Sequence, residues 1–248
     1  MIEKIRYIKP KVYGSLGYKS YFSLTYSALD LFFSEDYRKW NFKPFYYYEF
    51  GTGEGNSLKH YLKALKDLSP IWKKFSNLSD FRIFLFDSFE GLPEYSDEKD
   101  KNFAWSKVEF KGTVEDIKNV IERTYHRIIS NVTFIKGYYE ETLTERLIKE
   151  LSQYPPSLIN IDVDYYKSAK IALNFVGKIA QEGTIVYFDD IYEYLGNPTK
   201  GELAAIEEYN RGDNNIKLAH FRHFNIPSLL DQIYVFYKPV KDDPDSRL

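Results

Sequence analysis

The chain has 248 residues, 44% of them hydrophobic, no cysteine and a formal net charge of -2. That length carries one α/β domain with a full core, and the missing cysteines exclude disulfides, thiolate metal sites and a cysteine nucleophile. The near-neutral charge excludes the basic footprint of a general nucleic-acid or anionic-membrane binder.

Residues 1–44 mix aromatic and charged side chains, and Tyr21 to Phe33 reads as a helix with an apolar face. It precedes the first strong strand, so it is expected across the sheet edge or crevice, as a lid and part of a dimer contact. Phe45 to Phe50 reads as a strand, broken by the turn Gly51-Thr-Gly53-Glu-Gly55, and Asn56 to Leu68 as a helix. Phe81 to Asp87 is a second strand. Val114 to Ile129 is a helix with acids in its first turn and bases near its end, which complements the macrodipole. Asn131 to Lys136 is a strand stopped by Gly137, and Glu140 to Leu151 a helix. A fourth strand ends at Asp162 and is followed by a helix over Ser168 to Gln181. A fifth ends at Asp189, before a helix over Gly201 to Asn210. Ile216 to Phe224 and Gln232 to Tyr237 are strands with no room for a helix between them.

Strand–helix alternation predicts a parallel sheet with right-handed crossovers, and the closing pair predicts one antiparallel strand. The fold class is α/β, with a Rossmann-like seven-stranded sheet of methyltransferase type over residues 45–248. The sheet is mostly parallel, one strand is antiparallel, and helices cover both faces. Aromatics make up 18% of the chain. They suit an aromatic core or a stacking surface for a planar or sugar-like ligand.

Two strand ends carry the chemistry. Ser157-Leu-Ile-Asn-Ile-Asp162-Val-Asp164 and Gly183-Thr-Ile-Val-Tyr-Phe-Asp189-Asp190 both close in carboxylates. In an open parallel sheet such ends line one crevice. Carboxylates gathered there repel unless protons or a cation hold them together, and hard divalent cations take such ligands. The alternative is a pair of capped strand ends.

The glycine turn after the first strand allows positive φ and close approach of a ligand. It suits S-adenosylmethionine, a flavin or a nicotinamide dinucleotide, or is merely a tight turn. The dinucleotide fingerprint places its third glycine where Asn56 stands, which disfavours a pyrophosphate binder. Asp87, at the end of the second strand, can accept from a ribose diol or cap the next turn.

These residues together form an ordered set: Glu49-Phe-Gly51 through Gly55-Asn-Ser57, Asp87-Ser-Phe-Glu-Gly91-Leu-Pro93, Lys136-Gly137-Tyr-Tyr-Glu-Glu-Thr142, Ile161-Asp162-Val-Asp164 and Asp189-Asp190. The set resembles the macrocin O-methyltransferase family, enzymes that methylate sugar hydroxyls with S-adenosylmethionine and a metal ion. The resemblance covers about residues 45–210. It implies that Gly51, Thr52 and Ser57 lie near the methionine part of the cofactor, with Glu49 and Gly53 also at the cofactor. It implies that Asp87 holds the ribose with Ser88 beside it, and that Gly137 and Tyr138 lie near the cofactor and crevice. Asp162, Asp189 and Asp190 would hold Mg2+. The sequence departs from the family in its N-terminal segment and at Gly53-Glu54.

For the general base, Asp164 and His223 are the candidates. Asp164 is alternatively a helix cap, and His223 an ordinary sheet histidine. His60 reads as solvated or packed. The reading is a methyltransferase acting on a sugar-type acceptor, a homodimer without nucleic-acid partner or membrane span. A catechol-like diol and a non-catalytic cofactor-binding module are the alternatives. No apolar run approaches the about 18–20 residues of a membrane helix, and Met1 to Tyr13 lacks a signal-peptide core. A cytoplasmic location is the expectation.

Overall fold

A computed structural model describes residues 16–72, 77–94, 97–100, 111–221 and 232–240. The elements are α1 (Leu16–Phe32), α2 (Glu35–Lys39), β1 (Tyr46–Phe50), α3 (Asn56–Leu68), β2 (Arg82–Asp87), α4 (Val114–Tyr125), β3 (Val132–Lys136), α5 (Tyr139–Thr142) and α6 (Glu145–Leu151). They continue with β4 (Leu158–Ile161), α7 (Tyr166–Val176), β5 (Ile185–Phe188), α8 (Gly201–Arg211), β6 (Lys217–His220) and β7 (Ile233–Tyr237). The seven strands form one sheet in the order β3-β2-β1-β4-β5-β7-β6. β1 pairs in parallel with β2 and β4, β2 with β3, and β4 with β5. β7 runs antiparallel to both β5 and β6, so it is the one reversed strand.

Side-chain alternation along β1 builds two cores at once. Tyr47 points into the layer of α1, α3 and α4, where its ring stacks on Tyr61 at 3.9 Å. Tyr48 and Phe50 point into the layer of α7 and α8, and Phe50 stacks on Phe86 at 4.4 Å. Much of the aromatic content is thus core. α1 packs along α3 and buries Leu24, Ala28, Leu29 and Phe32 in the first layer. Of the two places expected for it, sheet edge or crevice, it covers a face of the sheet rather than its edge and brings Tyr21 to the crevice.

Local capping explains where element boundaries differ from the sequence pattern. The single helix expected over Glu140 to Leu151 is two, because Thr144 accepts from the Leu147 N–H and starts α6 afresh. The helix from Val114 gives way after Tyr125 to a 3-10 segment, His126–Asn131. α7 begins at Tyr166 and ends at Val176, just before Gly177. Among the described residues no helix is long and apolar enough to cross a membrane.

The chain leaves β1 toward β2 and β3, then returns to β4 on the other side. A crevice opens at that switch, outside the carboxyl ends of the strands.

Candidate functional site

A cleft of about 750 Å³ occupies this crevice. Its wall on the β1 side is the glycine turn. Gly51 has φ 80° and donates its N–H to the Phe86 carbonyl at 3.0 Å. A Cβ at Gly51 would lie 1.7 Å from the Asp162 carbonyl oxygen, so the ends of β1 and β4 meet with room for glycine alone. Gly55 precedes α3 as its N-cap and offers no side-chain cap, so the first-turn N–H groups at Asn56 and Ser57 stand at the cleft. Gly112 fits against the turn in the same way: a Cβ there would lie 1.7 Å from the Gly53 carbonyl oxygen. That contact brings Lys111 to the cleft, where it is the only lysine or arginine among the described residues of the lining.

Asp87 ties two loops together. Its Oδ2 accepts from the Gly53 N–H at 2.9 Å and its Oδ1 from the Phe89 N–H at 2.6 Å. Burial raises its pKa, and these backbone bonds pull it back down. Each carboxylate oxygen keeps a second lone pair for a ligand. Ser88 donates to the Gly91 carbonyl at 2.8 Å and accepts from the Glu90 N–H at 3.0 Å, so its hydroxyl shapes the turn. Gly137 donates to the Asp87 carbonyl at 3.0 Å, and Tyr138 stands before α5 on the cleft wall.

Glu49 is fully buried and does not line the cleft. The Tyr47 hydroxyl donates to its Oε2, and the Tyr47 and Tyr21 hydroxyls lie 2.9 Å apart. Burial pushes the Glu49 carboxyl up to about 8. Glu49 Oε1 and the buried Thr52 Oγ1 have no hydrogen-bond partner among the described residues. Thr52 lines the cleft, so its orphaned hydroxyl suits a polar ligand lying on the turn.

Across the cleft, Asp162, Asp189 and Asp190 each offer one oxygen within 4.8 Å of the others. Asp162 is half-buried, Asp189 exposed and Asp190 buried. Asp190 Oδ2 accepts from the Asp164 N–H at 2.8 Å, and its own N–H donates to Glu202 Oε2 at 2.9 Å. Glu202 is fully buried, and its Oε1 has no partner among the described residues. Asp189 Oδ1 accepts from the Tyr187 hydroxyl at 2.6 Å. Burial first, then Asp190, Asp189 and Asp164, raise the Asp162 carboxyl well above the usual range. Burial, then Asp164 and Asp189, raise Asp190. Three converging oxygens among acids that raise one another fit a hard cation bound through carboxylates.

Asp164 lines the cleft with φ 57°. It is not the cap of α7. The N-cap position is Tyr165, and the Tyr166 N–H in the first turn donates to Asp100 Oδ1 at 2.7 Å. His60 lines the cleft from α3; burial and then Lys59 and Lys63 lower its pKa. His223 lies outside the described residues. Of the site residues expected from sequence, Gly51, Thr52, Gly53, Ser57, Asp87, Ser88, Gly137, Tyr138, Asp162, Asp164, Asp189 and Asp190 share the cleft. The sequence reading omitted Tyr21, Lys111 and Tyr187, which also line it. Tyr187 was within reach, because residues two apart on a strand share a face and Asp189 follows it.

The sheet order, with a glycine turn on one side of its crevice and acids on the other, is that of the seven-stranded α/β methyltransferase fold. The family model of macrocin O-methyltransferase (TylF) matches residues 72–219, and the chain belongs to that family. The match begins beyond the glycine turn. Among the solved structures that share the fold are two methyltransferases. The calicheamicin methyltransferase CalS11 is 19% identical over 92% of this chain and 94% of its own, with a TM-score of 0.54. The O-methyltransferase NovP is 19% identical over 90% of this chain and 81% of its own, with a TM-score of 0.59. No curated protein matches the chain at a significant level.

Proposed function

We propose that the protein transfers a methyl group from S-adenosylmethionine to a hydroxyl of a sugar or sugar-containing metabolite, with Mg2+ at the three aspartates. The observation that carries this reading is the single cleft that the glycine turn and Asp87 share with Asp162, Asp189 and Asp190. Membership of the macrocin O-methyltransferase family supports the sugar acceptor.

When bound, S-adenosylmethionine supplies an electrophilic methyl group on a sulfonium. The α3 N-terminus at Ser57 favours its carboxylate, and the free lone pairs of Asp87 accept from its ribose diol. Gly51, Gly53 and Thr52 form the surface against its methionine part, with Gly137 and Tyr138 at its other side. Glu49 stands behind the turn, where it accepts from the Tyr47 hydroxyl. A magnesium ion at Asp162, Asp189 and Asp190 would supply positive charge that lowers the pKa of a vicinal diol. Asp164 takes the hydroxyl proton on its carboxylate as general base. Holding the hydroxyl in line with the methyl group is worth ~7–11 kcal/mol.

Tyr21, Tyr138, Tyr139 and Tyr187 also line the cleft. These rings favour a second reading, a catechol-like acceptor, on the same chemistry. A labelled-methyl assay against free sugars, nucleotide sugars, glycolipids and catechols separates the two. Label in a sugar, lost on chelation by EDTA, supports the proposal. Label confined to catechols transfers it to the second reading, and turnover indifferent to EDTA removes the metal.

A further inference from the structure

We propose that Tyr187 is a positioning residue for Asp189, and that Tyr21 of the N-terminal helix α1 holds Tyr187 in place. The inference rests on the reading of the three aspartates as a cation site.

Asp189 is the exposed member of the three. An exposed carboxylate turns freely about its side-chain bonds, so a ligand oxygen there needs a fixed partner. The Tyr187 hydroxyl supplies one at 2.6 Å, on Oδ1, and leaves the second oxygen for a ligand. The neighbouring acid is held by the same device, with Asp190 Oδ2 on the Asp164 N–H at 2.8 Å. Each adjacent acid therefore has one oxygen committed to a protein donor. Donors behind a metal ligand orient it, and their loss typically weakens metal affinity about 10–100-fold.

The Tyr187 ring is itself held. It is buried, and the Tyr21 ring lies against it with centroids 4.9 Å apart at 48°. Tyr21 cannot swing away without breaking its 2.9 Å hydrogen bond to Tyr47, whose hydroxyl in turn donates to Glu49. These contacts run from α1 at one end to Asp189 at the other. The buried hydroxyl bonds resist rotation because breaking one leaves an unmatched polar group, and the ring pair resists it because separation loses packed apolar contact.

The test is a Mn2+ titration of the full chain loaded with S-adenosylhomocysteine, followed by water-proton relaxation. Tyr187→Phe keeps the ring and removes the hydroxyl. It is expected to weaken Mn2+ about tenfold, with S-adenosylhomocysteine affinity and the unfolding midpoint of the metal-free protein unchanged. Tyr21→Leu removes the stacked ring and is expected to weaken Mn2+ in the same direction, whereas Tyr21→Phe keeps the ring, loses only the bond to Tyr47 and is expected to weaken Mn2+ less than Tyr21→Leu. Wild-type affinity in both Tyr187→Phe and Tyr21→Leu overturns the inference and leaves the cation site standing. A wild-type chain that binds no Mn2+ overturns the cation site itself, and the inference with it.

Discussion

The Asp164 N–H donates to Asp190 Oδ2 across 2.8 Å, with Asp164 held at φ 57°. One residue thus contributes to the cleft twice. Its backbone orients a candidate metal ligand, and its side chain lines the cleft as the candidate base.

Asp164→Asn separates the two contributions. Asparagine tolerates positive φ, so the backbone donor stays in place, while the carboxylate that would take the proton is gone. Steady-state kinetics is expected to show kcat lower by about 10²–10⁴-fold, with Mg2+ affinity by calorimetry unchanged. Intact kcat with weakened Mg2+ binding would reduce Asp164 to a support for Asp190.

Asp189→Asn is expected to abolish the thermal stabilisation produced by Mg2+. In the wild type a ligand at 100 times its Kd adds about 2.7 kcal/mol to the folded state. The metal-free variant should unfold no earlier than wild type, because losing one carboxylate relieves repulsion in the cluster. An undiminished Mg2+ shift in the variant counts against the site.

Gly51→Ala tests the join between β1 and β4. The new methyl would meet the Asp162 carbonyl oxygen at 1.7 Å, at a φ of 80° that L side chains rarely adopt. Urea unfolding is expected to show a loss of about 3 kcal/mol or more. A loss under about 0.5 kcal/mol, the size of an ordinary surface change, would contradict the close approach.

Glu49 makes stability pH-dependent with a definite sign. Its pKa is raised from 4.5 to about 8 by burial, so the folded chain binds this proton more tightly than the unfolded chain. The contribution is fully present below about pH 4.5 and is lost progressively as pH rises to about 8. Glu49→Gln removes the titration. Urea unfolding between pH 5 and 8, an interval on the order of the span in which the two states differ, is expected to show a flatter profile and higher stability at the alkaline end. An identical slope in both proteins would show that Glu49 does not titrate in this interval.

Much of the fold was legible because strand alternation and turn glycines are local. Helix α3 runs Asn56–Leu68 as read, because Gly55 fixes its start. The acids closing β4 and β5 were legible as a pair because both strands must end at one crevice in a parallel sheet. What escaped depends on contacts across the chain. Thr144 restarts a helix through a single hydroxyl, which hydrophobic periodicity does not register. Asp100 lies 66 residues from the helix start it serves. The helix from Tyr21 is expected at the sheet edge or crevice, but that Tyr21 itself enters the cleft follows from α1 lying along α3, which no spacing within residues 1–44 encodes. Asp87 allows either a ribose acceptor or a cap of the next turn, and the cap is present on Oδ1, which accepts from the Phe89 N–H, while Oδ2 accepts from Gly53 in the earlier glycine turn.

The most direct measurement is calorimetric titration of the purified chain with S-adenosylhomocysteine and, separately, with NADH. S-adenosylhomocysteine is expected to bind in the micromolar range and NADH not at all. The Asp87→Asn variant should bind S-adenosylhomocysteine more weakly, because one of the two oxygens there becomes a donor group. Binding of NADH with no binding of S-adenosylhomocysteine would contradict the methyltransferase reading.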